Sequence, residues 1–441
     1  MTGRPNRNDW ARRDDAKSVV VTGIGPITAS GIGAQAFWEG VHGGTSPARL
    51  VDRFDTGPFR SKVAIQIDDF EPEGLLDAKE ARRLDRFGQF SVAAAQLALD
   101  DARLSAGDLE ESVVAVQMGS ALGGISQAEF QATNFAANGV RGVDPRVALH
   151  VFPGAASCNV AIRFGFTGPN STNAMSCASG TMAIGEAWRL VRDGICDVAI
   201  AGGVEAPLAP LSFGAFSIIR AMSKRNDDPG AACRPFDQAR DGFVMGEGAC
   251  TLVLEEEEGA RARGARIYAR IEGYGNSNDA YHMTAPRPDG SVARNAMSQA
   301  LTSAGRTADD IDYVNAHGSS TPLNDGTESG AIADLLGTRA SEVRVSGTKP
   351  FYGHALGASG AIEIGLCALA IYHGWIPPTL NLEVPGEGCD LNYVAGVGED
   401  AELKTVLSNS FGFGGINASI VLAAPAGQHL ENGALIGLHK E

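Results

Sequence analysis

The chain has 441 residues, enough for two or three structural units or one large fused fold. It carries 36 Lys and Arg against 52 Asp and Glu, and the resulting net charge of −16 argues against a general nucleic-acid or anionic-membrane surface. Its seven Cys form no C-x-x-C pair, so neither a disulfide framework nor a zinc knot is predicted. The most apolar stretch, residues 362–376, is too short to cross a bilayer, and the polar N-terminus lacks the apolar segment of a signal peptide. We therefore expect a cytoplasmic protein without membrane insertion.

The first part of the chain is predicted to consist of a disordered tail, residues 1–17, and a buried strand over residues 18–25. Gly23 and Gly25 close this strand, but the third glycine of a G-x-G-x-x-G motif is absent, so a dinucleotide site is not predicted. Residues 77–101 have a helical pattern that begins with a basic cluster, namely Lys79, Arg82, Arg83 and Arg86. Such a cluster is usually a solvated face, although in an acidic protein it is also where an acidic partner would dock.

Residues 173–184 are predicted to form a strand end, a turn and a helix start, with Cys177 at the junction. Predicted strands at 113–118 and 197–201 flank this unit, which indicates α/β organisation. A thiol at a helix N-terminus meets the positive end of the helix dipole, and we expect its pKa to fall below the free value of about 8.5. Such a thiol suits acyl transfer; the alternative is a small residue of the packed core.

An internal repeat organises the whole chain. Three sequence similarities recur in the same order: the glycine-terminated strands at 21–25 and 271–275, the Ala-Leu segments at 98–102 and 300–304, and the Ala-Ser-Gly segments at 178–180 and 358–360. The last pair is followed at the same spacing by Gly185 and Gly365. The order of these matches predicts a duplicated α/β unit.

Two histidines of the second half stand in segments rich in small residues. His317 follows a short predicted strand, and His354 precedes a predicted helix at the repeat counterpart of Cys177. One thiol and two imidazoles suit acyl transfer followed by carbanion chemistry, because imidazoles that donate from Nε2 can stabilise an enolate oxygen. The spacing also allows a zinc site of His317, His354 and Asp325, but a metal there would occupy the place where the thiol must react, so we predict none.

A glycine-rich loop follows the predicted strand near the C-terminus, at residues 407–417. It is either a tight turn or a source of backbone N–H groups for an oxyanion, with Phe411 and Phe413 closing an apolar acyl channel.

Taken together, these motifs resemble the β-ketoacyl-[acyl carrier protein] synthases of the elongating type II kind. The resemblance extends from Ser18 to about Ala424 and rests on four motifs in order: the Cys177 segment, His-Gly-Ser-Ser-Thr-Pro at 317–322, Lys-x4-His-x2-Gly at 349–357 and Ser-Phe-Gly-Phe-Gly-Gly at 410–415. It implies a thiolase-like α/β fold whose two halves form a five-layered α-β-α-β-α core. The halves would span residues 18–264 and 265–424, with a C-terminal tail at 425–441.

The resemblance also implies roles for individual residues. Cys177 would be the acylated nucleophile, and its backbone N–H would form the oxyanion hole with that of Phe411. His317 and His354 would promote malonyl decarboxylation and hold the enolate. The remaining implied roles are a supporting ion pair of Lys349 and Glu363, contacts of Ser319 and Thr321 with a phosphopantetheine arm, and an acyl-pocket wall at Leu122.

An acidic acyl carrier protein is the partner that this family implies. The implied docking residues are Lys79, Arg82, Arg83, Arg141 and Arg220, with Lys224 as a further candidate. The position of Leu122 implies a homodimer. No bound cofactor is expected, because the phosphopantetheine arm arrives on the carrier protein.

The predicted reaction is a decarboxylative Claisen condensation in fatty acid elongation, which gives a β-ketoacyl carrier protein, CO2 and free carrier protein. A polyketide ketosynthase with the same residues is the alternative. A degradative thiolase fits less well, because two histidines with a supporting lysine suit decarboxylation. A non-catalytic chain-length factor would lack Cys177.

Overall fold

The computed structural model describes residues 16–425, and the predicted tails lie almost entirely outside this range. Lys17 is described, and its backbone N–H donates to the Arg192 carbonyl at 2.9 Å. The strands are β1 (Val19–Thr28), β2 (Gly31–Ile32), β3 (Arg49–Leu50), β4 (Val63–Ile65), β5 (Val114–Gly119), β6 (Asn170–Asn173), β7 (Val198–Glu205), β8 (Met245–Gly246), β9 (Gly248–Glu256), β10 (Ala269–Asn278), β11 (Tyr313–Asn315), β12 (Arg344–Ser346), β13 (Trp375–Ile376), β14 (Asn392–Tyr393), β15 (Glu399–Asp400), β16 (Thr405–Gly412) and β17 (Ile416–Ala423). The helices are α1 (Ala34–His42), α2 (Ala78–Ala81), α3 (Arg86–Ala102), α4 (Ile125–Asn138), α5 (Val147–His150), α6 (Ala155–Phe164), α7 (Ser179–Arg192), α8 (Pro210–Ile218), α9 (Glu257–Ala262), α10 (Ser291–Ala304), α11 (Pro322–Leu336) and α12 (Ser359–His373).

The sheet topology contains the same five-strand arrangement twice. In the first half the strands run β6-β5-β7-β9-β1, and in the second β12-β11-β16-β17-β10. In each half the strands therefore lie in the chain order 3-2-4-5-1, and the fifth strand is antiparallel to both of its neighbours. The predicted duplication is confirmed. The predicted boundary at residues 264 and 265 falls between α9 and β10.

The two sheets join through the antiparallel pair β1 and β10 and enclose two central helices. Helix α12 contacts β9 and β16, and α7 contacts strands of both halves. Helices α3 and α6 cover the outer face of the first sheet, while α10 covers that of the second and carries α11. This order gives the five predicted layers.

Helix α12 lies at the centre of the core, and its residues 359–371 are all buried. Within the described residues, the length and composition of the segment Leu356–His373 would allow it to cross a membrane, but 89% of it is buried inside the protein. Its apolar character is therefore explained by packing between the two sheets.

Glycines in β1 and β10 explain the first similarity of the repeat. A Cβ on Gly25 would lie 2.1 Å from the Ala94 carbonyl oxygen of α3, and one on Gly275 would lie 2.2 Å from the Ala296 oxygen of α10. Both glycines let a helix backbone approach its strand directly. The Gly-x-Gly pattern thus serves helix packing in both halves.

The helical pattern predicted over residues 77–101 belongs to two helices, α2 and α3. Asp77 accepts from the backbone N–H groups of Lys79 and Glu80 and starts α2. Asp85 accepts from the Gly88 N–H at 3.0 Å and starts α3. Two successive Asp N-caps therefore divide the helical pattern.

Candidate active site

Cys177 lies in a single 3-10 turn, Ser176–Ala178, directly before α7. The preceding Ser176 has a φ of 52°, an unfavourable left-handed conformation for a non-glycine residue that turns the chain sharply before the helix. The Cys177 side chain is only 7% exposed and lines a cavity of about 600 Å³. The predicted position of this thiol at a helix start is therefore what the structure shows.

The predicted fall in the thiol pKa is contradicted. Burial raises the pKa of Cys177, because desolvation disfavours the thiolate. The Ser176 hydroxyl, 3.7 Å from the sulfur, the Lys349 charge and the Phe413 backbone N–H each oppose this effect. Since burial is the largest influence, the resting nucleophile is a protonated thiol.

His354 is held in one tautomer by the turn that precedes α12. Its Nδ1 accepts the backbone N–H of Leu356 at 3.2 Å and lies 3.0 Å from the Ser359 hydroxyl. An Nδ1 that accepts from a backbone N–H carries no proton, so the neutral ring is protonated at Nε2. Leu356 has a φ of 42° and so repeats the strained conformation of Ser176.

His317 is held in the equivalent tautomer by a lysine. The Nζ of Lys349 lies 3.4 Å from Nδ1 of His317 and also donates to the His317 carbonyl. The Glu328 carboxylate accepts the backbone N–H groups of His317 and Gly318 at 2.7 and 2.9 Å, which fixes the loop. The ammonium can only donate, so Nδ1 of His317 is an acceptor and its proton also lies on Nε2.

The two imidazoles form one donor pair in the cavity. Their ring centroids are 5.3 Å apart, and the rings are inclined at 79°. Burial and the Lys349 charge lower the pKa of both rings well below the usual 6.5, so both are neutral near pH 7. Within residues 16–425, the ring hydrogen bonds of both histidines use Nδ1, which leaves both Nε2–H groups for a ligand.

The predicted pair of Lys349 and Glu363 is present behind His317. Nζ and Oε1 are 2.5 Å apart, and both side chains are completely buried. Burial raises the pKa of Glu363 to about 7, and the Lys349 ammonium opposes this rise.

The predicted oxyanion donor Phe411 and the predicted gate residue Phe413 both line the cavity with Cys177. The backbone N–H of Phe413 faces the Cys177 sulfur and lowers the pKa of the thiol. Phe411 belongs to β16, where it pairs with Asn417 of β17, and its ring centroid lies 6.1 Å from that of His317. The glycine between them lies so close that a Cβ there would be 3.1 Å from the Cys177 nitrogen. The turn after β16 therefore aims an N–H at the thiol.

The three other predicted ligand-contact residues all line the same cavity. Ser319 and Thr321 have hydroxyls 2.8 Å apart, and Thr321 caps α11 by accepting the N–H of Asn324. Leu122 lines the cavity in the loop that follows β5.

The residues of the zinc alternative do not form a metal site. Asp325 accepts the Phe236 N–H at 2.9 Å and the Ser319 hydroxyl at 3.3 Å. Between residues 16 and 425, no group of three or more His, Cys, Asp or Glu side chains is placed to hold a metal ion.

The predicted docking residues are exposed in the structure: Lys79, Arg82, Arg83, Arg141, Arg220 and Lys224. Arg220 also lines the cavity. Arg86, the fourth member of the basic cluster, instead donates twice at 2.9 Å to the buried Glu247. Arg86 therefore belongs to a core ion pair and not to the exposed basic surface.

Comparisons with known proteins place this site in a family. The model of the β-ketoacyl synthase N-terminal domain matches residues 16–260, and that of the C-terminal domain matches residues 268–383. A 3-oxoacyl-[acyl-carrier-protein] synthase 2 of Synechocystis sp. is 44% identical over 406 residues, covering 92% of this chain and 98% of the relative. A Staphylococcus aureus protein of the same name is 42% identical over 405 residues, with 92% and 98% coverage.

Solved structures give the same result. A β-ketoacyl synthase from Burkholderia phymatum superposes with a TM-score of 0.86 at 34% identity, covering 93% of this chain and all of that one. A type II polyketide ketosynthase in complex with its acyl carrier protein gives a TM-score of 0.87, also at 34% identity and with the same coverage. With the duplicated fold, the buried thiol and the two Nε2–H donors already in place, these matches show that the chain belongs to the β-ketoacyl synthase family.

Proposed function

We propose that this chain elongates fatty acyl chains by decarboxylative Claisen condensation. The observation that carries the proposal is the arrangement of two neutral imidazoles, His317 and His354, with their Nε2–H groups free beside the buried Cys177 thiol. Neutral donors suit an oxygen whose negative charge develops only during the reaction.

The first step transfers the acyl chain to the enzyme. The Cys177 sulfur attacks the thioester carbonyl of an acyl carrier protein, and the backbone N–H groups of Cys177 and Phe413 receive the negative charge on its oxygen. The carbon–sulfur bond to the phosphopantetheine arm then breaks. The departing arm takes the thiol proton, so the enzyme becomes an acyl thioester and the carrier leaves with a free thiol.

The second step generates the carbon nucleophile. The thioester carbonyl of a malonyl carrier protein accepts the Nε2–H groups of His317 and His354. The bond between the malonyl α-carbon and its carboxylate breaks, CO2 leaves, and the electron pair forms an enolate held by the two donors.

The third step joins the two chains. The enolate carbon attacks the acyl thioester on Cys177, and the resulting oxyanion lies at the N–H groups of Cys177 and Phe413. The carbon–sulfur bond breaks, a β-ketoacyl carrier protein is released, and the thiolate takes up a proton. The enzyme supplies no cofactor of its own, because the reacting groups arrive on the carrier's phosphopantetheine arm.

A polyketide ketosynthase remains the second candidate, because structural neighbours include the polyketide enzyme above and an ishigamide ketosynthase with its chain length factor, which has a TM-score of 0.87. The curated relatives at 42–44% identity favour elongation of fatty acids. A series of acyl primers of increasing length separates the two. Turnover of saturated acyl carriers supports elongation, whereas turnover restricted to polyketide intermediates would support the second candidate.

We also propose that an acidic acyl carrier protein docks on the exposed basic residues near α2. A double charge reversal, Arg82→Glu with Arg83→Glu, should raise the KM for the carrier and leave kcat nearly unchanged, because exposed charges act mainly on association. Lys404→Glu is the matched control, since Lys404 is exposed on the other half of the molecule. Equal KM values for the double variant and the control would exclude this docking site.

We also propose a homodimer whose interface is formed at one edge of the sheet. Strand β6 is the last strand on that side, and its first two residues are exposed. Helix α6 packs beside this strand. Large apolar side chains are exposed on α6 and α4 and in the Cys177 segment: Phe130, Phe135, Ile162 and Met175. An open edge with exposed apolar side chains is typical of an interface. Sedimentation velocity tests this proposal, and a monomer at micromolar concentration would contradict it.

The nucleophile is tested by mass spectrometry. Incubation with a fatty acyl carrier protein should add the acyl mass to the peptide that contains Cys177, and a label on any other peptide would refute the assignment. Cys177→Ala should abolish acylation and condensation but retain some CO2 release from malonyl carrier protein. Loss of that release with Cys177→Ala, and its survival in a variant lacking both His317 and His354, would refute the roles assigned to these three residues.

A further inference from the structure

Glu205, the last residue of β7, is a buried carboxylate at the meeting point of the two halves. Its Oε2 accepts the backbone N–H groups of Ala121 at 2.7 Å and Gly357 at 2.9 Å. Its Oε1 accepts the N–H of Leu122 and the hydroxyl of Ser120, each at 3.0 Å. One side chain therefore binds three backbone amides and a hydroxyl from two separate loops.

All four partners are donors. Ser120 Oγ already accepts the Gly123 N–H at 3.0 Å, so its own proton is available to Glu205. Such a set matches a carboxylate and leaves no acceptor for a carboxyl proton. Burial raises the pKa of Glu205 to about 7, and the four donors oppose this rise. Among the described residues, no lysine, arginine or histidine forms an ion pair with Glu205, so neutral dipoles alone stabilise its charge.

The two loops that Glu205 binds belong to different parts of the site. Ala121 and Leu122 form part of the cavity wall. Gly357 follows Leu356, whose N–H fixes the tautomer of His354. A Cβ on Gly357 would lie 2.4 Å from the Ala121 nitrogen and 2.7 Å from the Glu205 carboxylate, so the two loops are in direct contact.

The repeat shows that this position is a structural counterpart of the oxyanion turn. Strands β7 and β16 are the fourth strands of their halves, and both have eight residues. Gly412, the last residue of β16, lies against Cys177 at the start of α7, whereas Glu205 binds Gly357 at the start of α12. Each strand therefore ends against the helix start of the other half.

We propose that Glu205 is a positioning residue that ties the acyl-pocket wall at Ala121 and Leu122 to the turn that orients His354. The proposal rests on the condensation chemistry described above. Both partial reactions then depend on one carboxylate: acyl transfer through the shape of the pocket, and decarboxylation through the direction of the His354 Nε2–H.

The test is Glu205→Gln in the full-length enzyme. The amide has nearly the same shape, but its NH2 group must face either the Leu122 N–H or the N–H groups of both Ala121 and Gly357. Either placement loses backbone hydrogen bonds that hold the loops. We expect kcat for acylation of Cys177, and separately kcat for CO2 release from malonyl carrier protein, to fall about ten- to hundredfold, as small misplacements of reacting groups do. The KM for carrier protein should stay within about twofold, because the exposed basic residues are untouched.

Glu255→Gln is the matched control. Glu255 is also buried, but it pairs with Arg263 and lies beside Val198 at the opposite end of β7. The Glu255→Gln variant should lose thermal stability without loss of kcat for acylation or for CO2 release. Ser120→Ala removes a single donor to Glu205 and provides a milder variant, with an expected loss of several-fold, if Glu205→Gln does not fold.

Loss of both kcat values at unchanged KM, beyond any loss in the control, supports the proposal. Wild-type kcat for either partial reaction in folded Glu205→Gln, or in Ser120→Ala where that variant is used, would overturn it. Failure of the condensation proposal itself would appear differently, because the unmodified enzyme would then lack both partial reactions.

Discussion

The buried pair of Lys349 and Glu363 allows stability and catalysis to be separated by mutation. Glu363→Gln leaves the Lys349 ammonium buried without its counter-charge. Removal of one partner from a buried pair costs about 3–5 kcal/mol of unfolding free energy. The double variant Lys349→Met with Glu363→Leu removes both charges and fills a similar volume, so its stability should return to within about 1–2 kcal/mol of the unmodified enzyme.

Catalysis should not return with stability in the double variant. Nζ of Lys349 lies 3.4 Å from Nδ1 of His317 and also binds its carbonyl, whereas the methionine that replaces this lysine provides no donor to hold the ring. A hydrogen bond from a charged donor contributes about 1.5–3 kcal/mol. If that energy serves to position His317, its loss slows decarboxylation about ten- to 150-fold.

Two measurements on the same preparations decide the matter. Denaturant unfolding gives the free energy of unfolding, and release of labelled CO2 from malonyl carrier protein gives the rate. Loss of CO2 release in a stable double variant is the expected result. A double variant that is stable and decarboxylates at the original rate would refute the assignment of the His317 tautomer to Lys349.

Three further predictions concern packing, the thiol and pH. Gly25→Ala should destabilise the fold by about 1–3 kcal/mol, because the new Cβ would lie 2.1 Å from the Ala94 carbonyl oxygen. Its control is Gly259→Ala, which has no atom within 4 Å of the added Cβ and should leave the thermal unfolding temperature unchanged or slightly raised. Alkylation of Cys177 by iodoacetamide should have a midpoint above the free-thiol value of about 8.5, since burial raises its pKa; a midpoint below that value would contradict this. Burial also raises the pKa of Glu328 to about 7, so the folded state holds a proton that the unfolded chain releases near its ordinary value of 4.5. Its contribution to stability is therefore full below about pH 4.5 and is lost as pH rises through about 7, and Glu328→Gln should flatten that part of a plot of melting temperature against pH.

Much of the fold and the central site could be predicted from the sequence, because both are recorded in local patterns. The paired glycines of β1 and β10 and the similar helix starts at Cys177 and His354 reveal the duplication. The resemblance to the β-ketoacyl synthases then identified Lys349 as a partner of Glu363, which the geometry bears out as a contact.

What could not be predicted depends on tertiary placement. The thiol pKa follows from how deeply Cys177 is buried, which no local pattern records. The N–H that faces the thiol, that of Phe413, depends on where β16 ends and its turn begins. Glu205 and Glu328 were missed as partners of site loops, although a carboxylate closing an apolar strand after Gly202 and Gly203, and another on a helix beside Ala331 and Ile332, were available signals.

The ends of β7 and β16, each of which contacts the helix start of the other half, limit how the two copies of the repeat could diverge. One copy now bears the nucleophile and the other bears the two hydrogen-bond donors for the enolate oxygen, yet each relies on the opposite copy to shape the first turn of its central helix. A change at either strand end therefore alters the residue that the other copy contributes. After duplication, the two copies could therefore specialise only in concert, and the strand order has stayed the same in both.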